Sequence, residues 1–369
     1  MRALLLRLAL AAGFALAAPE LLAQGAGVLP APTTDIEYTA VPGDTMIGIA
    51  RRYLIEGQRH EVQRSLWEHN RLKDKDRIVP GQVIRLPENW MKNDAGNLEL
   101  VHVEGNVQSK GAPLRPGAKI GAGDDFRTGR DGYVTIRLAD GSTLVLQPGS
   151  NLAIEEVRKS PLDSAQNAKF MLQSGRVEAT VQKRTTSGAR FEVRTPIAVA
   201  AVRGTKFRVV ADEEKRRATT EVLEGAVQVE DAGKLGGVAV PEGFGTRVLE
   251  GQAPSEPRAL LPAPRLWTGI RLAVRKPVRL NFTRLEGAVN YRVLVARRAD
   301  FQEVVVDSTL AANEILLPDL ENGPYFLRVR GIDELGLEGR DTFADLVLSL
   351  EPPAPEPVTP QPGAPFPSK

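Results

Sequence analysis

Three rhythms of apolar and polar positions run along the chain. The first is an unbroken apolar run from Leu8 to Ala18, preceded by Arg2 and Arg7 and followed by small residues and a polar break. That order is the order of a secretory signal peptide, and the run is too short for a membrane span, which needs roughly 18 to 20 apolar residues. Cleavage is expected after Ala17 or Ala23, the alternative being retention as an anchor; no later segment has the length of a span. The second rhythm is helical. Tyr38, Thr39 and Val41 read as a short strand and Pro42-Gly43 as a turn. Asp44 or Thr45 then stands where a helix N-cap belongs, with Ile47, Ala50 and Leu54 behind it on one side. A second stripe of Val62, Leu66 and Trp67 follows, and "RIVPGQVIRLP" returns as turn plus strand, so the order is strand, helix, helix, strand.

The third rhythm is alternation with period two, from Leu98 to about Leu249. Asp131-Gly132, Asp140-Gly141 and Pro148-Gly149 punctuate it as turns. Between them Val134, Ile136 and Leu138 alternate with Tyr133, Thr135 and Arg137, which predicts one buried and one wet face. "EGNVQ" at 104, "SGRVEATV" at 174 and "EGAVQVE" at 224 repeat a glycine turn followed by alternating valines, as in stacked hairpins of a sandwich or β-roll. In "RTPIAVAAVRGTKFRVV" (194–210), Ile197, Val199 and Ala201 alternate with Ala198, Ala200 and Val202. Both sets are apolar, which predicts a central strand covered on both sides, then a turn at Gly204 and a half-exposed return strand with Lys206 and Arg208 facing outward. A phosphate loop is excluded there, because it needs G-x-x-x-x-G-K-[ST] leading into a helix.

Proline-rich stretches set the boundaries. They give a signal segment 1–23, a linker 24–35, a small module 36–92, a β domain 98–249, a linker 250–265, a second β domain 266–350 and a solvated tail 351–369. The fold class is therefore mainly β and multidomain: a small βααβ module, a central all-β sandwich or β-roll and a C-terminal β-sandwich.

Charge and chemistry mostly exclude. The balance of 48 basic against 46 acidic residues offers no concentrated cationic face for nucleic acid. The absence of cysteine removes disulfides and thiol chemistry. His60, His69 and His102 have no metal-ligand spacing and read as solvated or helix-end residues. Asp124-Asp125 and Glu155-Glu156 read as solvated strand ends, and "DEEKRRATT" (212–220) as a polar hairpin tip. No catalytic residue, metal site or cofactor is expected.

"VPGDTMIGIARRY" with "HNRLKDKDRIVPGQVIRLP" resembles the LysM family of small glycan-binding modules, although the stretch Tyr53–Asn70 is longer than the common pattern. The resemblance implies a βααβ fold that binds N-acetylglucosamine-containing chains, above all peptidoglycan, between two loops. Gly43, Asp44, Thr45 and Met46 would form one wall and Ile78, Val79, Pro80 and Gly81 the other, with Met46 and Ile78 covering sugar faces.

"DDFRTGRDGYVTIRLADGSTLVLQPGSNLAI", "FEVRTPIAVAAVRGTKFRV" and "TEVLEGAVQV" are similar to the FecR-type periplasmic domain. The best-known members of that family sit in the inner membrane and relay signals to a sigma factor. The export signal and LysM-like module ahead of the domain here argue against carrying that role over, and leave its β fold and a protein-contact role. Residues 266–350 look like a fibronectin type III module, with Leu320 and Tyr325 resembling its tyrosine corner and Phe282 standing where many members have Trp. The implied protein is periplasmic and non-enzymatic, with peptidoglycan and an unidentified envelope protein as partners. The alternatives are a FecR-like regulator and a wall hydrolase whose carboxylates escape notice.

Overall fold

The computed structural model describes residues 31–348 apart from 33–34, 55–58, 73–76, 93, 96–97, 160–161, 163–165, 184–190, 203, 267–270 and 275–276. The signal segment 1–23, the tail 351–369 and Arg203 lie outside the described residues.

At the N-terminal end, β1 (Asp35–Thr39) pairs antiparallel with β2 (Val83–Pro87), from Asp35 opposite Pro87 to Thr39 opposite Val83. Between them run α1 (Met46–Tyr53) and α2 (Arg59–His69), so the βααβ order holds. Thr45 is the N-cap of α1, its hydroxyl accepting the Gly48 amide at 3.0 Å. The core face of α1 is Met46, Ile49, Ala50 and Tyr53, the i, i+3, i+4, i+7 set of an amphipathic helix. Ile47, expected on that face, instead points outward and is 50% exposed. Leu66, Ile84, Leu86, Trp90 and Met91 complete the core, and Leu162 from the following domain packs against it.

The central region is a sandwich of two sheets that share one strand. In the first sheet the neighbours run Ala112–Pro113, Val107–Ser109, Asp125–Thr128, Asn151–Lys159, Gln166–Thr180, Phe191–Arg194, Ala198–Val202, Ala226–Asp231 and Gly237–Pro241. In the second they run Leu98–Glu104, Tyr133–Leu138, Thr143–Leu146, Gln166–Thr180, Lys206–Asp212, Arg217–Glu224, Phe244–Leu249 and Arg258–Ala259. The strand Gln166–Thr180 pairs in the first sheet up to Ser174 and in the second from Gly175 onward. Phe170, Phe191 and Phe207 stack through the middle, with ring centroids 5.3 and 6.3 Å apart.

The recurring glycine motifs are corners between the sheets, not hairpin turns. Gly105, Gly175 and Gly225 each stand where the chain crosses from one sheet to the other, at φ of +65°, +93° and +82°. A Cβ on Gly175 would lie 2.5 Å from the Cα of Ser150, and one on Gly105 2.2 Å from the Asp131 carbonyl oxygen. Only glycine permits the sharp bend at such a close approach.

Several burial expectations change. In Ala198–Val202 only Ala198, Ala200 and Val202 are buried; Val199 and Ala201 are half-exposed, because among the described residues no layer covers the outer face of the first sheet. The outer face of the second sheet, by contrast, is covered. Tyr133 and Thr135, read as wet, are buried, and so is Arg208, at 2% exposure. Glu155 and Glu156 lie within the strand Asn151–Lys159 at a register shift, where Glu156 pairs with Lys169 at 2.8 Å. The run 212–220 does form a hairpin tip, with the Asp212 carboxylate accepting the Lys215 amide at 3.1 Å.

The covering layer is a C-terminal five-stranded sheet in the order Arg271–Val274, Thr342–Leu348, Gly323–Asp333, Ala288–Ala296, Val304–Leu310. A two-stranded sheet, Arg279–Asn281 with Glu314–Leu316, packs beside it around Phe282, Tyr291, Val293, Val295, Leu327 and Val329. The Tyr325 phenol donates to the Glu321 carbonyl at 3.1 Å. The segment 250–265, expected as a solvated linker, is docked: Arg258–Ala259 pairs with Phe244–Gly245, Leu260 is buried, and Thr246 donates its hydroxyl to the Ser255 carbonyl at 2.7 Å. Its prolines keep it extended, and extended backbone serves as an edge strand wherever the N–H groups face the sheet.

Candidate functional site

The pairing of β1 with β2 brings the loops 40–45 and 78–82 side by side. The Ala40 amide donates to the Gln82 carbonyl and the Gly81 amide to the Ala40 carbonyl, both at 2.8 Å. Gly43 and Gly81, at φ +91° and +87°, turn the two loops. The Gln82 side chain accepts the Val79 amide at 3.0 Å and closes the second loop on itself.

The residues named for this site divide into two groups. Gly43, Thr45, Val79, Pro80 and Gly81 are exposed and Ile78 is half-exposed, so these can meet a ligand. Met46, expected to cover a sugar face, is 5% exposed and belongs to the core. Asp44 is occupied within the module: its carboxylate accepts the Tyr38 phenol at 2.5 Å and the Val41 amide at 2.9 Å, with Arg52 3.6 Å away. The Tyr38 phenol, followed by the Val41 amide, holds the Asp44 carboxyl below the usual carboxylate range. Burial, reinforced by Asp44, raises the Tyr38 phenol above its ordinary value. The pair braces the first loop from behind and leaves its rim to apolar groups. Val41 and Ile47 are both 50% exposed and Val79 is 53% exposed; Val41 and Val79 lie on the two loops and Ile47 in the first turn of α1. Neither Val41 nor Ile47 was expected in the site; the one signal in the sequence is that Ile47 precedes a glycine on a helix whose i, i+3, i+4 set already closes without it.

Elsewhere, His69 holds Asp35 at 2.7 Å and so ties the end of α2 to β1, while His102 stands 3.8 Å from Glu104. Among the described residues no three His, Asp or Glu side chains gather as a metal site would require. An open groove of about 880 Å³ lies on the uncovered face of the first sheet, floored by Val199, Ala201 and Ala239 and edged by Glu192, Arg194 and Glu230.

The model of the LysM domain matches residues 38–87, and the model described as FecR protein matches residues 124–228. No curated protein matches the sequence. Among solved structures, one described as an anti-sigma factor from Parabacteroides distasonis ATCC 8503 is similar at 18% identity and a TM-score of 0.30. That match covers 37% of this chain and 59% of the other. The extracellular domain of a hybrid two-component system from B. thetaiotaomicron is similar at 10% identity and a TM-score of 0.19, covering 62% of this chain and 34% of the other. The LysM match spans both loops and the paired strands that hold them, and the FecR match runs from Asp124 to Gln228 within the two-sheet sandwich: this chain carries a LysM domain followed by a FecR domain.

Proposed function

We propose that this chain is a periplasmic, non-enzymatic envelope protein that binds peptidoglycan through its LysM domain and offers its β domains to a protein partner. The observation that carries this is the rim of the two loops. Val41, Ile47 and Val79 expose apolar surface beside the turns at Gly43 and Gly81, the combination a glycan needs for its apolar sugar faces and its acetamido and hydroxyl groups. The C-terminal unit is read as fibronectin type III-like, supported by the Tyr325 phenol on the Glu321 carbonyl, and serves as a contact or spacer module.

The test is sedimentation of the protein with purified sacculi. Ile47→Ser combined with Val79→Ser removes exposed apolar contacts without touching the core, and is expected to weaken binding about tenfold with unchanged circular dichroism. Equal sedimentation of the variant and the parent, or of a chain lacking residues 24–98, sinks the assignment. The FecR match supports a second reading, a periplasmic regulator. Co-purification of a protein that crosses the inner membrane would favour it. Release of soluble muropeptides from the sacculi would instead favour a hydrolase.

A further inference from the structure

The second FecR sheet and the C-terminal sheet meet through charges. Cross-strand pairing places Glu178 opposite Arg208 and Arg208 opposite Glu221, one row over three strands. Facing that row are Arg292 and Arg330, opposite each other in the C-terminal sheet, with Arg328 beside them and Glu338 and Asp341 on the segment that follows. Most of these charges have a partner. Glu338 pairs with Arg330 at 2.7 Å, Arg292 at 3.2 Å and Arg176 at 3.3 Å. Arg208 pairs with Asp341 and donates to the Gly339 carbonyl at 3.0 Å. Glu178 pairs with Arg328 at 3.2 Å, and Asp307 with Arg292 at 2.6 Å.

Glu221 differs from the other acids. It is fully buried, and its Oε1 accepts the Thr219 hydroxyl at 2.8 Å and the Glu338 amide at 3.4 Å. Its Oε2 has no hydrogen-bond partner among the described residues. The charged groups around it are Arg208 and then Glu178 on the strands to one side, and Arg247 on the strand to the other. Glu338, with Arg330 and Asp341 behind it, faces it from the C-terminal unit.

We propose that Glu221 is a proton-operated latch between the FecR sandwich and the C-terminal sheet, closed when the carboxyl is protonated and loosened when it ionises. An ionised Glu221 leaves a bare oxygen in a buried interface under the repulsion of the Glu338 charge, whereas the neutral acid removes that repulsion. Burial first, and then Glu338, push the Glu221 carboxyl from 4.5 up to about 7, against the pull of Arg208. Below the ordinary value both the docked and undocked forms hold the proton, and the latch is fully closed. Between that value and about 7 only the docked form holds it, so docking weakens as pH rises and the loss is complete above about 7. Acid acts oppositely on Glu178, Glu338 and Asp307, whose carboxyls lie below their ordinary values. Their pairing is lost only below the usual carboxylate range, so docking is tightest near pH 5.

The experiment is amide hydrogen exchange on the full chain from pH 5 to 8, corrected for intrinsic rates and read at Leu337, Glu338 and Gly339. Their amides bond to Asp333, Glu221 and the Gly331 carbonyl respectively. In the parent protein the opening constant is expected to rise with pH by up to about two orders of magnitude. Glu221→Gln, and Glu221→Leu as a variant without any ionisable or amide group, should both be flat. Glu178→Gln should be more open throughout yet keep the slope. A flat parent profile, or a slope that survives in both Glu221 variants, overturns the proposal.

Discussion

At Gly175 the chain turns from one sheet into the other with Ser150 against the space a side chain would fill, so Gly175→Ala combines a left-handed backbone with a collision against backbone atoms. The expected cost is about 3 kcal/mol or more, read as a lower midpoint in urea unfolding. Asp44 gives a second expectation, with a sign that pH fixes. Because its carboxyl titrates below its ordinary value, the stability it contributes is present above that value and is lost as pH falls through the folded one. Asp44→Asn should therefore cost about 1–2 kcal/mol near pH 7. The gap to the parent should close as pH falls through the lowered folded value, followed by thermal unfolding of the LysM domain. At this scale the sequence was partly legible. Thr45 is visible as a cap because Ser, Thr, Asp and Asn share that preference. Met46 and Ile47 depart from expectation because the helix begins at Met46, one position before the first residue of the expected stripe, which turns one side chain inward and the next outward; Asp44 departs because the Tyr38 phenol and the Val41 amide occupy its carboxylate.

Strands were legible wherever turns announced them. Asp140-Gly141 and Pro148-Gly149 flank Thr143–Leu146 as expected, with Gly141 and Gly149 at positive φ. The shared strand was not, since "SGR" carries the same residues whether a chain reverses or only bends; the difference lies in which strands are neighbours. Alternation in Ala198–Val202 hides the same kind of information. Alanine and valine suit either a covered or an open face, and the uncovered outer side follows from the whole sheet. The two sides should therefore respond differently. Val202→Thr places a hydroxyl in the core and is expected to cost about 1–3 kcal/mol, while Val199→Thr, on the open groove, should cost less than about 1 kcal/mol. Paired denaturation curves of the two variants check this; equal costs would mean that both sides are covered.

For the whole molecule, the charged face between the FecR sandwich and the C-terminal sheet is expected to couple their unfolding. Arg208→Ala leaves Glu178 and Asp341 short of a buried partner and is expected to destabilise by about 3–5 kcal/mol. It should also split a single calorimetric transition into two. This interface was illegible in the sequence for a definite reason: Glu178, Arg208, Arg292 and Arg330 occupy the alternate, outward positions of their strands, where charge ordinarily means water. Hydropathy along one chain cannot distinguish a wet charge from one met by its opposite from another domain. The same composition bears on biogenesis. A sandwich that emerges and folds first shows water a hydrophilic row of Glu178, Arg208 and Glu221, where a docking face made of leucines would leave a sticky intermediate awaiting its cover. The FecR sandwich can thus wait in solution for its C-terminal neighbour to arrive, and a mismatched neighbour is rejected by every charge it leaves unanswered.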